Sequence, residues 1–222
     1  MKIDLDNLIS IYKSLLKQYG RQGWWPLLSC ENIKNNKGYH PGDYFYPRNN
    51  QQKFEICVGA ILTQNTAWTN VEKALFNLKD KKLLNAKAIK DSKIEELRVA
   101  VKPAGYYNQK ADYLKAFSFF YLSLKGKTPA RAELFAVKGI GPETADSILL
   151  YAYSMPEFVV DAYTKRMFSQ LGFFSEKERY HNVKEMFEKA LPKDVNLYQE
   201  YHALIVKHAK NNNSRKNKIA ET

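Results

Sequence analysis

One short break constrains this chain more than any other feature. Residues Ala132 to Val137 keep the apolar spacing of a helix, Lys138-Gly139-Ile140-Gly141 interrupts it, and Pro142 opens a second helical pattern running to about Tyr151. Glycine is needed where a backbone takes positive φ or comes close to another chain, and proline suits the first turn of a helix. The amides around Gly139, Gly141 and Glu143–Thr144 then lie at a helix N-terminus, a prepared anion site whose natural occupant is a phosphate. Ile140 tucked inward would hold the turn. This is the logic of a helix-hairpin-helix, which grips one DNA strand through phosphates without reading bases. A plain turn between two helices fits the same residues.

The remaining pattern is helical from end to end. Leu5, Leu8, Ile9, Tyr12, Leu15, Leu16 and Tyr19 keep helical spacing up to a stop at Gly20. Phe54 to Thr63 is almost wholly apolar and suits a buried helix. Thr69 with Glu72, Ser92 with Glu95 and Ser175 with Glu178 read as capping boxes. Thr128-Pro129 reads as a cap followed by a first-turn proline. Asp161 caps a helix that stops at Gly172, and Asp194 caps a last helix to about Ala209. Residues 21–52, rich in glycine, proline and aromatics, read as ordered but irregular. Phe158-Val159-Val160 is the sole strand candidate. The expectation is an all-α fold of about ten helices, in two helical groups with a cleft.

Composition narrows the partner. The 222 residues are 45% hydrophobic and 26% charged, enough for a core. Thirty-five Lys and Arg against 23 Asp and Glu leave a net charge of +12, spread along the chain. A protein this basic usually meets a polyanion. The sequence shows neither a membrane span nor a secretory signal pattern, so no membrane partner is expected and the expected location is the cytoplasm. Cys30 and Cys57 are its only cysteines, too few for a four-thiolate site. His40, His181, His202 and His208 show no metal spacing, and no metal is assigned.

Several ordered blocks share a resemblance. L-x-x-V-K-G-I-G-P-x-T-A-D followed by V-V-D-A-Y-x-x-R, over 134–166, resembles the helix-hairpin-helix plus Gly-Pro-Asp motif of the endonuclease III superfamily of DNA glycosylases. Phe54-Glu55 through Ile61-Leu62-Thr63-Gln64-Asn65-Thr66 is similar to that family's buried helix ending in a glutamine. Val101 to Ala111 resembles its I-K-x-x-G-x-Y-x-x-K-A segment, and Tyr201-His202-Ala203-Leu204-Ile205 resembles the helix before its iron–sulfur loop. The resemblance implies a helix-hairpin-helix glycosylase fold on double-stranded DNA. It makes Asp161 the catalytic carboxylate and Gln64 the side chain that fills the gap left by a flipped nucleotide. Lys138, Gly139, Gly141, Glu143 and Thr144 become the DNA-binding hairpin.

Departures from the family pattern set the expected subtype. Glu143 stands where bifunctional members carry a Schiff-base lysine, and a carboxylate cannot form an imine. No cysteine follows Cys57, so no iron–sulfur cluster is expected. Trp24-Trp25-Pro26, together with Phe45, resembles the small cluster-less 3-methyladenine branch of the superfamily, the bacterial type III enzymes. Aromatic rings suit a cationic alkylpurine by stacking and cation–π attraction. Lys210 joins these four as a pocket residue, and a core role for the tryptophans stays open. The expected activity is monofunctional release of alkylated purines in base excision repair, by a monomer. A same-fold enzyme for another damaged or mismatched base, or a non-catalytic helix-hairpin-helix protein, are the alternatives. One unit over 1–222 is expected. It would comprise a central lobe at 54–155 with the hairpin at 130–152, a second lobe from 1–53 and 156–210 with the aromatic loop, and a disordered basic tail at 211–222.

Overall fold

The computed structural model describes residues 3–30 and 37–220. Among the described residues the chain is helical and contains no strand. In chain order the helices are α1 (Leu5–Tyr19), α2 (Asn50–Leu62), α3 (Trp68–Asp80), α4 (Ala86–Asp91), α5 (Ile94–Val101) and α6 (Tyr107–Ser123). After them come α7 (Arg131–Phe135), α8 (Pro142–Ser147), α9 (Ala162–Gln170), α10 (Tyr180–Ala190) and α11 (Val195–Ala220). A 3₁₀ turn at Lys102–Ala104 follows α5, and a π-helical turn at Ile148–Ala152 continues α8. Phe158-Val159-Val160 forms no strand: the Phe158 amide bonds to the Glu188 carboxylate at 2.8 Å instead of to a neighbouring strand.

Helix ends show where local signals held and where they lost. Gly20 closes α1 at φ 69°, and Asp161 and Asp194 cap α9 and α11 through the amides of Thr164 and Leu197. The three expected capping boxes do not cap. Instead α3 starts behind Ala67, α5 behind Lys93 and α10 behind Arg179, none with a side-chain cap. Buried apolar positions such as Val71, Leu97 and Val183 fix these helices, and packing outweighs a weak cap preference. Beyond Ala209, α11 stays helical to Ala220, where a disordered tail was expected. No glycine or proline interrupts Asn211 to Ala220. Residues 221–222 of that tail lie outside the described residues.

The chain divides into two compact units. The first comprises Met1–Trp24, Tyr39–Tyr44 and Met155–Thr222, and the second comprises Trp25–Gly38 and Phe45–Ser154. Residues 25–38 and 45–53, expected with the terminal lobe, thus belong to the central one. Two contacts tie Trp25 and Leu28 to α2. The Glu55 carboxylate of α2 accepts the Leu28 amide at 2.6 Å, and the Trp25 ring lies against Gly59.

In the first unit α11 packs on α1 and α9. Phe158 stacks on Phe187 at 4.4 Å, Phe168 meets Phe187 edge-on at 4.8 Å, and Tyr201 donates to the Leu8 carbonyl at 2.8 Å. These rings are fully buried, and each buried aromatic contributes a large apolar area. In the second unit α2 is buried from Phe54 through Leu62, with α3, α6 and the π-helical turn packed around it. A Cβ at Gly59 would come within 2.8 Å of Trp25 Nε1, so glycine there lets the indole lie against the helix backbone.

Candidate active site and nucleic-acid interface

Asp161 divides its two oxygens between two tasks. Oδ1 accepts from the Thr164 amide at 2.7 Å and the Thr164 hydroxyl at 2.8 Å, which caps α9. Oδ2 lies 3.5 Å from Nε2 of His202 on α11. Burial pushes this carboxyl up, but His202 and the Thr164 bonds outweigh it, so Asp161 is held below its usual 3.8. It is a buried anion at neutral pH.

Trp24 completes this group, half-buried and edge-on to the His202 imidazole at 5.5 Å. Its approach is fixed by its neighbours. Gly23 takes φ 67°, and a Cβ there would sit 2.2 Å from the Pro41 nitrogen. Glu200, buried two residues before His202, accepts the Gln22 amide at 2.6 Å and the Tyr44 hydroxyl at 2.7 Å. Lys210, farther along α11, is exposed as a residue. Partial desolvation still holds its ammonium below the usual lysine range, with Asp161 opposing and Lys207 adding to the shift.

The hairpin lies in the second unit. Arg131 of α7 grips the fully buried Asp146 of α8 with two bonds, Nε at 2.6 Å and Nη2 at 2.9 Å, and so clamps the two helices together. Gly139 takes φ 86°, and a Cβ there would strike the Tyr113 ring of α6 at 2.3 Å. Ile140 is buried between the glycines. Gly141 is extended at φ −89°, and a Cβ there would meet nothing within 4 Å, so its smallness answers to no neighbour in the chain. Lys138, Gly141 and Glu143 are exposed, whereas Thr144 is buried. Gln64, in the turn after α2, donates to the Gly139 carbonyl at 2.9 Å and the Thr144 hydroxyl at 3.0 Å.

The predicted pocket residues fall in both units. Trp24 and Lys210 belong to the unit that carries Asp161, and Trp25, Pro26 and Phe45 belong to the other. Trp25 is a core residue, 6% exposed and edge-on to Trp68 and Tyr151, because Gly59 leaves room for it. Pro26 is buried beside it in sequence, and Phe45 is 86% exposed. The sequence pattern gives no site role to His202, Glu200, Arg131, Asp146 or Lys110. His202, Asp146 and Lys110 lay inside blocks quoted for their resemblance, and that was the only signal available. Among the described residues no cluster of three or more His, Cys, Asp or Glu could hold a metal ion.

An all-α chain with a clamped helix-hairpin-helix and, downstream, an ionised aspartate buried at a helix start has the parts of a DNA-repair glycosylase. The chain belongs to the HhH-GPD superfamily of base excision DNA repair proteins, which residues 58–193 match. It is 45% identical over 91% of its length, and 87% of the relative's, to a Methanocaldococcus jannaschii protein assigned by name to the DNA repair glycosylases. It is similar in structure to the H. pylori 3-methyladenine DNA glycosylase bound to 1,N6-ethenoadenine, with TM-score 0.73 and 30% identity, covering 94% of this chain and 98% of that one. An endonuclease III–DNA complex shares the fold at TM-score 0.70 and 20% identity, covering 90% of this chain and 83% of that one.

Proposed function

We propose that this protein is a monofunctional DNA glycosylase that releases alkylated purines of the 3-methyladenine class from duplex DNA by hydrolysis. The observation that carries this reading is the Asp161–His202–Trp24 group: an ionised carboxylate beside an imidazole, with an indole edge-on to that imidazole. The likeness to the H. pylori 3-methyladenine enzyme supports the substrate class.

The chemistry follows from charge. Alkylation at ring nitrogen leaves the purine cationic, so the glycosidic bond breaks with little acid catalysis, and positive charge builds on the sugar. A preorganised carboxylate stabilises that charge. Asp161 is suited to this because Thr164 fixes Oδ1 while Oδ2 faces His202. Water adds at the anomeric carbon, the base leaves as the neutral methylpurine, and one proton passes to solvent. Trp24 offers an indole on which a flipped base can stack, and Lys210 lies within electrostatic reach of Asp161. The hairpin amides and Lys138 hold the backbone.

Two absences from the sequence favour the monofunctional, cluster-free form. Glu143 at the start of α8 offers no amine for an imine. The two cysteines cannot supply four thiolates, so an iron–sulfur cluster does not fit this chain. The test is base release from methylated duplex DNA, with uracil- and oxidised-base duplexes alongside and borohydride trapping on abasic DNA. Methylpurine release with no trapped complex is expected. Release confined to uracil or an oxidised base would overturn the substrate class, and a robust trapped band would overturn the monofunctional assignment.

A further inference from the structure

The second unit contains a buried lysine that the glycosylase reading leaves without a task. Lys110 of α6 is 3% exposed. An ammonium has three hydrogens, and Lys110 places all of them: on the Leu62 carbonyl at 2.8 Å, the Thr66 hydroxyl at 2.7 Å and the Ala104 carbonyl at 2.9 Å. None of these partners is a carboxylate. Leu62 ends α2 and Ala104 ends the 3₁₀ turn, so two helix C-termini, each with an orphan carbonyl, converge on one cation. Thr66 in turn donates to Ala104 at 2.5 Å. Burial pushes the Lys110 ammonium down to about 8, a cost the fold carries with no opposing charge to offset it.

Two of the three groups held by Lys110 bracket a turn that leads to the hairpin. The turn between Leu62 and Thr66 contains Gln64, whose amide holds Gly139 and Thr144. One helical turn beyond Lys110, Tyr113 of the same helix lies under Gly139. We infer that Lys110 is a positioning residue for the DNA grip: it fixes the 62–66 turn, and through Gln64 it sets the hairpin that meets the phosphates. This rests on the family's hairpin grip and is independent of which base is released.

The experiment is a double-mutant cycle on affinity for an undamaged duplex at fixed salt, with melting temperature measured on every variant. Gln64→Ala and Lys110→Met should each weaken binding about 5-fold or more, the scale of one lost hydrogen bond. The double variant should bind no more weakly than Gln64→Ala alone, because Lys110 acts through Gln64. A merely structural lysine would lower the melting temperature and add its loss to that of Gln64→Ala. Thr66→Val removes one acceptor of the same ammonium and should show the same non-additivity, which keeps the inference testable if Lys110→Met does not fold. Binding within twofold of wild type for Lys110→Met, or losses that multiply in the double variant, would overturn it.

Discussion

Asp161 caps a helix with one oxygen and, on the proposed function, stabilises the cationic sugar with the other. Its Oδ1 caps α9 and its Oδ2 faces His202. Asparagine keeps an oxygen for the cap, and the two residues cap about equally well. Asp161→Asn should therefore keep the melting temperature close to wild type while base release in single-turnover assays falls about 100-fold or more, the scale of losing one preorganised electrostatic contact. Near-full activity would remove Asp161 from its role. Because its folded pKa is depressed, its contribution to stability is complete above the unfolded value near 3.8 and is lost only as pH falls through the lowered folded value. The stability of wild type relative to Asp161→Asn should stay flat from pH 8 to 5 and fall below pH 4, where only the wild-type carboxylate is protonated, read by denaturant titration at each pH. The two tryptophans give a second contrast. Trp24 is half-buried against His202, so Trp24→Ala should lose roughly 1–3 kcal/mol of base stacking, seen as slower methylpurine release from a protein that still folds. Trp25 is core, so Trp25→Ala should cost about 3–5 kcal/mol of stability, with the folded fraction retaining its rate. Equal melting temperatures for the two variants would refute this division.

At the level of elements, the hairpin's two glycines answer to different demands. Gly139 combines φ 86° with the Tyr113 ring where a Cβ would be, so Gly139→Ala must displace the turn. It should cost about 2 kcal/mol or more and weaken every duplex alike. Gly141 is extended and clear of its neighbours, so Gly141→Ala should fold with unchanged stability. If a strand passes over that backbone, it should still lose DNA affinity, and wild-type affinity would show that the strand keeps its distance. The hairpin was legible because its signal is local: a break, two glycines and a proline within five residues. The buried α2 and the Asp161 cap were legible for the same reason. The three misread caps were not, since packing of Val71, Leu97 and Val183 chose those starts. Nor was the split of Trp24 from Trp25, because a loop has no period to say which side chain turns inward. His202, Glu200 and Lys110 sit on helices where a buried polar residue leaves no mark in the sequence. Their partners are brought to them from far along the chain, such as Gln22 for Glu200 and Leu62 for Lys110.

On the scale of the whole molecule, charge decides how DNA is held. Thirty-five basic against 23 acidic residues give +12, an excess no fold of this size requires for stability. Each phosphate neutralised adds about −0.9 to the slope of log affinity against log salt. The affinity for undamaged duplex should therefore fall steeply between 50 and 200 mM salt, by about a thousandfold if roughly six phosphates are met. Lys138 is exposed on the hairpin, and the proposed function gives it one of these contacts. Lys138→Ala should reduce the slope by about one and weaken damaged and undamaged duplexes by the same factor, because a phosphate contact carries no base information. Asp161→Asn should leave the slope unchanged, since on the proposed mechanism its charge acts on the sugar, and a carboxylate neutralises no phosphate. Measuring both variants across one salt series separates grip from chemistry. A Lys138→Ala loss confined to damaged duplex would assign that lysine to base recognition and leave the phosphate contacts to the hairpin amides.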